Sequence, residues 1–442
     1  MKRLKIILPL LIVSWVATTD GITLDTLLQK TVEKNPEIQK TKHDLEQASG
    51  HRLVFRAVGL PEATIGVVGG AQGGHRAGEK PIQPFGFAYG SFSQAIFNAI
   101  VPPSFRRGDV ELLIAQQRLN VAVVEQLHAA RLAFYTAIYN RSLKSVRVEQ
   151  RQRLEQDVSS QRDRYESGLV DRGAFVGAEV QMRELDPRIE AAQRAYDGAL
   201  LKLNEAMGEY LGRGAKVPEP EGELRYASVD VDLDPEIETA LERRPDLQLA
   251  RLLVRAANED QRIIEAAYYP TINAVVYGDY IPVSGVRREN QASPRRSDNV
   301  ISSEIRAGAA YTWQVVDNGK TYGAALKQRS AREINELLLQ KLEADVPREM
   351  SRIRDDLAAI GAKHRSLAGA SAAAEGNAST LQQNLAEGVV AQFEFRQAEN
   401  DWLEVKSGLI TLAYQQNLAL AEWDRATGRY FQFSHDRGQN VR

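Results

Sequence analysis

The chain repeats itself once, and any fold proposed for it must work twice. Asn35-Pro36-Glu37-Ile38-Gln39 in the first half is matched by Arg244-Pro245-Asp246-Leu247-Gln248 about 209 residues later. At the same offset Pro61 meets Pro270, Ala57 meets Ala266 and Gly69 meets Gly278. Later segments align at a slightly larger shift, about 220: Gly168-Leu169-Val170 with Gly388-Val389-Val390, Phe175 with Phe395, and Ala178-Glu179 with Ala398-Glu399. Gly208 and Tyr210 fall against Gly428 and Tyr430 in the same way. An ordered set at near-constant spacing marks a tandem duplication. Glu209 to Pro235, rich in Gly, Pro and acidic residues, reads as the linker. The division that follows is residues 1–19 as a signal segment, 20–208 as the first repeat, 209–234 as the linker, 235–428 as the second repeat and 429–442 as a tail.

Each half follows one plan: helix, strand, loop, strand, very long helix, tight turn, long helix. The first helices are expected at about Leu24 to Ala57 and Pro235 to Ala267, ended by Pro61 and Pro270, which open strands. The long arms are expected at about Gly108 to Ser167 and Gly319 to Glu387. They turn at Gly168 and Gly388 and return through Asp171 to Met207 and Gln392 to Thr427. Leu119, Val123, Leu127, Ala130, Phe134 and Ala137 step by threes and fours, as do Leu342, Val346, Met350, Ile353, Leu357 and Ile360. That seam favours supercoiled packing against other helices. Arms of about 60–70 residues would each reach roughly 90–105 Å, more than a globule needs. Pro187 and Pro347 fall inside these helices and are expected to kink them.

The strands read differently. From Ile301 to Val315, apolar residues alternate with polar or small ones, and aromatics gather near one end. Phe85, Phe87 and Tyr89 precede a similar run toward Ile96, and Ile272 to Tyr280 alternate less cleanly. This pattern suits a membrane barrel strand and a half-buried soluble sheet equally well. The N-terminus favours the first. Lys2, Arg3 and Lys5 precede the short apolar run Ile6 to Val16, then Ala17, Thr18 and Thr19, as in a secretory signal. That run is too short to cross a bilayer as a helix, and no later segment matches it, so any spanning falls to the strands. Four strands per chain cannot sit in lipid as an open sheet, because their edges would leave backbone groups unpaired. Copies would have to share one barrel.

With the repeat, strands and hairpin arms laid out, the chain resembles the TolC-like outer-membrane channel family across about Ile22 to Tyr430. The residues that carry the resemblance are Asn35-Pro36 with Arg244-Pro245, Pro61 and Pro270, the strand-to-helix run Trp313-Gln314-Val315-Val316-Asp317-Asn318-Gly319, and the two tips. The resemblance implies a mainly α chain with a small membrane β-barrel: a homotrimer with a twelve-stranded barrel in outer-membrane lipid and a helical tunnel across the periplasm. It also implies docking to a periplasmic adaptor (membrane fusion) protein and, through it, to an inner-membrane transporter, in an efflux pump or type I secretion system. The tips Gly168, Leu169, Val170, Gly388, Val389 and Val390 would form the adaptor-contacting entrance. Glu394, with Gln397 one turn on, matches the stretch where acids constrict the entrance in some members. Gln397 departs from a doubly acidic ring, and Val390 replaces the basic residue that latches the entrance in others. No cofactor is implied, and the duct would do no chemistry.

Composition narrows the alternatives. The 442 residues carry a net charge of −2 and no cysteine, which gives no basic stripe for nucleic acid and excludes disulfides and thiolate sites. Gly319-Lys320-Thr321 looks like the end of a phosphate loop, but Gln314 stands where that motif needs Gly, and a helix-starting turn explains it. The six His show no HExxH or close pairing. Arg287, Arg288, Arg295 and Arg296 suit an exposed loop, with anionic lipopolysaccharide as the alternative ligand. The rival readings are a periplasmic coiled-coil scaffold without a pore, and a periplasmic hydrolase, for which no acid–base or nucleophile constellation is visible.

Overall fold

The structure is a computed structural model that describes residues 21–73, 82–209, 217–229, 231–280 and 303–430. The signal segment, the arginine cluster, most of the two strand-connecting loops, part of the linker and nearly all of the tail lie outside the described residues.

In chain order the elements are α1 (Leu24–Lys34), α2 (Pro36–Ala57), β1 (Glu62–Gly73), β2 (Ile82–Phe97), α3 (Val101–Glu166), α4 (Arg172–Ala206), α5 (Leu233–Arg243), α6 (Pro245–Glu265), β3 (Thr271–Tyr280), β4 (Ser303–Thr312), α7 (Lys320–Ala386) and α8 (Gln392–Ala426). The plan is used twice, as the repeat requires. The first helix of each half is nonetheless two helices, against the single helices expected at Leu24–Ala57 and Pro235–Ala267. The break falls at Asn35-Pro36 and Arg244-Pro245. A residue before proline is pushed toward extended backbone, and Asn35 (φ −59°, ψ 127°) and Arg244 (φ −60°, ψ 123°) both comply. Each proline then opens the next helix, where its missing N–H costs nothing. The first arm starts earlier than expected because Pro102 and Pro103 are tolerated in a first turn. Pro187 and Pro347 lie inside α4 and α7, as expected. β4 ends at Thr312, short of the alternating run to Val315.

The chain divides into two compact units. The first draws on residues within 1–40, 120–244 and 345–442. Its core joins Leu27 and Leu28 of α1, Leu127, Ala130, Phe134 and Ala137 of α3, Leu203 of α4 and Ala421 of α8. Four residues of the expected α3 seam are therefore buried together, and Val346, Met350 and Ile353 of the α7 seam are buried as well. The described linker is pinned within this unit. The Tyr226 ring stacks on His364 at 3.6 Å, Gln416 exchanges hydrogen bonds with the Ala227 backbone, and Asn417 donates to the Arg225 carbonyl.

The second unit comprises residues 41–119 and 245–344. Val110 and Ile114 of α3 pack with Ala256 of α6, flanked by ion pairs Arg52–Asp109, Arg106–Glu259 and Arg107–Asp260. Its four strands form one antiparallel sheet in the order β1-β2-β3-β4. Paired residues in such a sheet point to the same side. The register therefore sorts the side chains into two faces. Ala63–Phe92–Val276–Ala307, Ile65–Gly90–Gly278–Ile305 and Val67–Ala88–Tyr280–Ser303 form rows on one face. Glu62–Ser93–Val275–Gly308, Thr64–Ser91–Tyr277–Arg306 and Gly66–Tyr89–Asp279–Glu304 form rows on the other.

Candidate functional site

Two features stand out, one in each unit. In the second unit it is the sheet. Its apolar face is bare: Ile65 is 88% exposed, Val67 80% and Ile305 80%. Tyr268, Tyr269, Tyr311 and Trp313 are exposed at one end, with the Trp313 indole donating to the Tyr268 carbonyl at 3.2 Å. The opposite face carries Glu62, Thr64, Ser91, Ser93, Asp279, Glu304 and Arg306 with two tyrosines. β1 and β4 are the edges, and neither has a partner on its outer side among the described residues.

In the first unit the feature is the pair of helix-hairpin tips. The α3 and α7 ends close in the same way. The Gly168 amide donates to Tyr165 and the Leu169 amide to Arg164, at 3.0 and 2.8 Å. The Gly388 amide donates to Leu385 and the Val389 amide to Asn384, at 3.1 and 2.8 Å. These are Schellman closures, whose C′ residue must take a left-handed backbone. Gly168 has φ +72° and Gly388 φ +74°. Leu169 and Val389 are then thrust outward, 72% and 71% exposed, while Val170 and Val390 are half-buried. The first tip has an aromatic brace: Tyr165 stacks on Phe175 at 6.0 Å, and the Arg162 guanidinium covers the Phe175 ring.

Glu394 lies exposed in the first turn of α8, and Gln397 is exposed on the same side of the helix. Gln397 donates to Asp401 at 3.1 Å. Asp401 completes an exposed polar line with Glu394 and Gln397, and its i, i+3, i+7 spacing was available in the sequence. Beneath this line is a second group that the sequence did not signal. Asp157 of α3, 5% exposed, forms an ion pair with Arg396 of α8 and accepts a hydrogen bond from Gln392 at 3.1 Å. Burial pushes the Asp157 carboxyl above its ordinary value, and Arg396 opposes the shift. Further along the same two helices run Arg153–Glu399, Gln150–Asn400 at 3.2 Å and Arg147–Glu404 at 2.8 Å. The α3–α8 contact is thus polar toward the tips. It turns aromatic at Tyr139 and Tyr414, stacked at 4.3 Å.

Farther from the tips, Arg131 binds Asp424 at 2.6 Å and the hydroxyls of Tyr135 and Tyr430. Burial drives the Tyr430 phenol up to about 12. His128 is buried beside Glu422 at 3.2 Å, and desolvation lowers its pKa. The remaining decoys have local explanations. Asp317 accepts the amides of Gly319 and Thr321 at 3.0 and 2.8 Å, so the Gly319-Lys320-Thr321 turn is already capped by the protein's own carboxylate. A hydrogen bond from the Thr321 side chain, together with those two amides, holds the Asp317 pKa low. Among the described residues, no group of three His, Asp or Glu comes together as a metal site, and no helix is long and apolar enough to cross a membrane.

No protein-family model matches the chain, and no curated protein matches it by sequence. Solved structures do match. The Campylobacter jejuni CmeC outer membrane channel superposes with a TM-score of 0.79 at 12% identity, covering 94% of this chain and 88% of that one. A membrane protein from Pseudomonas aeruginosa gives 0.77 at 16% identity, with 92% of each chain covered. The outer membrane protein VceC of Vibrio cholerae gives 0.74 at 15% identity, covering 92% of this chain and 96% of that one. Two helical hairpins and a two-faced sheet, with at least 88% of each such chain covered, give the chain the fold of outer-membrane channels, as its resemblance to the TolC-like family anticipated.

Proposed function

We propose that the chain is one protomer of a homotrimeric duct in the outer membrane, a passive export channel of a tripartite efflux pump or type I secretion system. The observation that carries this reading is the sheet. It has an exposed apolar face, a polar face, and two open edges. In lipid, unpaired backbone groups along an edge cost several kcal/mol each. Three copies would pair β4 of one with β1 of the next and close twelve strands into a barrel, the apolar face toward lipid and the polar face lining the lumen. The hairpins α3–α4 and α7–α8 would form the periplasmic conduit. The tips around Gly168 and Gly388 would meet the adaptor, with the exposed Leu169 and Val389 as its apolar footholds.

In this reading the protein performs no chemistry. Opening the conduit is a shift in population between arrangements of the arms, biased by whatever binds the tips. The test is biochemical. The mature protein should require detergent for extraction from outer membranes, run as a heat-labile trimer and conduct ions in planar bilayers. A water-soluble monomer that needs no surfactant would defeat the channel and favour a periplasmic scaffold.

A further inference from the structure

The polar face of the sheet carries two exposed tyrosines that packing does not require. Tyr277 is 54% exposed and Tyr89 38% exposed, beside the hydroxyl, acidic and basic residues Thr64, Ser91, Asp279, Glu304 and Arg306 of the same face. The Tyr89 ring is held flat. It lies over Gly66, where an added Cβ would come within 2.3 Å of the ring. The glycine is therefore a cradle, and the phenol is fixed across the sheet instead of standing free in solvent. Phe87 lies next along the same strand face, its ring 6.1 Å from Tyr89.

Charge is placed beside these rings in register. Tyr89, Asp279 and Glu304 are direct neighbours across β2, β3 and β4, and Tyr277 is paired with Arg306 one row away. Two like charges opposite each other are unfavourable in a sheet. Arg306 hydrogen-bonds only one of them, in a bidentate pair with Glu304 at 2.7 and 2.6 Å, and acts on Asp279 through its charge alone. Among the described residues, no hydrogen bond is made to the Asp279 carboxylate. Beside two exposed tyrosines, the patch thus offers one carboxylate that the described residues do not hydrogen-bond, in a group of two acids and one arginine with a net negative charge. That combination attracts a cation through the carboxylate and the ring quadrupoles, and gives its apolar body a surface to lie on.

We infer that Tyr89, Tyr277 and Asp279 form a cargo-selecting patch in the barrel lumen, favouring organic cations with an aromatic or apolar body and disfavouring anions. The inference rests on the channel reading above and names its substrate class. Three copies would set three such patches around one lumen, where a ring of like-charged side chains tunes what passes.

The test uses the full-length trimer in planar bilayers. Tetraphenylphosphonium is added from the barrel side, with tetraphenylborate as the anionic control. The unmodified pore should be blocked by the cation at concentrations at least tenfold lower than by the anion, with block weakening as salt rises. Asp279→Asn should weaken cation block about tenfold and reduce cation preference in the reversal potential. Tyr277→Leu should weaken block several-fold while leaving the reversal potential unchanged. Glu304→Gln with Arg306→Gln, which removes a neutral pair, should retain most of the block. Persistence of the trimer on gels reports folding for each variant. A conducting pore whose block is equal in all variants, or equal for both probe ions, overturns this inference alone. A protein that forms no pore overturns the channel reading, and this inference falls with it.

Discussion

Asp157 of α3 and Arg396 of α8 form an ion pair in which the carboxylate is 5% exposed, and the two residues come from opposite halves of the duplicated chain. Their pairing ties the first arm to the second hairpin near the tips. It also sets a cost: burial raises the Asp157 pKa although Arg396 lies against it, so desolvation outweighs the attraction.

Removing one partner should therefore be worse than removing both. Arg396→Met leaves a buried carboxylate without its counter-ion, and should destabilise the protein by about 3–5 kcal/mol. The double variant Asp157→Leu, Arg396→Met should recover most of that loss. Thermal unfolding of the four corners of this cycle decides the matter; additive losses would contradict it.

The tip glycines should be intolerant for a backbone reason. Gly168→Ala and Gly388→Ala keep open space around the new methyl group but force a left-handed L-residue. Each should cost about 1 kcal/mol. Gly198→Ala, in the middle of α4 and equally free of neighbours, should instead stabilise by about 0.5–1 kcal/mol. Denaturant midpoints at constant slope distinguish the two classes.

Export should be lost separately from stability at the same tips. Gly388→Pro, or a bulky residue at Gly168, should abolish export while trimers persist in the outer membrane. Transport assays beside outer-membrane fractionation test this, and undiminished export from both variants would remove the tips from the functional site.

Glu209 gives a pH signature. It accepts from Lys34 at 2.8 Å, and that hydrogen bond, opposed by partial burial, holds its pKa below the ordinary 4.5. A carboxylate depressed on folding contributes stability above its unfolded pKa and loses it as the pH falls through the folded one. The Tm gap between the native protein and Glu209→Gln should be full at neutral pH and shrink as the pH drops below about 4.5 toward 3. A gap that stays constant or widens on acidification would be the wrong sign.

The two faces of the sheet predict opposite responses to one substitution. Ile305→Arg adds charge to the exposed apolar face and should lower stability in the bilayer by about 2–4 kcal/mol if it lies near mid-depth. Gly308→Arg, on the polar face, should insert normally. Yields of heat-modifiable trimer compare the two directly.

Much of the architecture was legible because it is written in short windows. The α4 and α8 limits, Arg172–Ala206 and Gln392–Ala426, fall within a residue of those expected, since Gly168 and Gly388 stop one helix and apolar periodicity carries the next. The splits at Asn35 and Arg244 were missed, although each precedes a proline. The strong helical pattern on both sides masked a purely local steric rule. At the proposed entrance, Glu394 and Gln397 were named from the sequence and lie exposed on one side of α8, and Asp401 was within reach by spacing. Asp157 was not, because nothing near it in the chain points to Arg396.

The sequence by itself determined the duplication, the helical arms, the glycine-closed tips and the alternation of the strands, because each depends on neighbours a few residues apart. Tertiary structure alone decided how equivalent positions diverged. Asn35 uses its side chain to cap Glu37 and hold the Ala206 carbonyl, whereas Arg244, at the same place in the second repeat, reaches Glu349 at 2.6 Å. It also decided which strand rows share a face, and so which tyrosines stand beside Asp279. Backbone preference is settled locally; the partner of a buried charge or an exposed ring is settled only when distant segments pack.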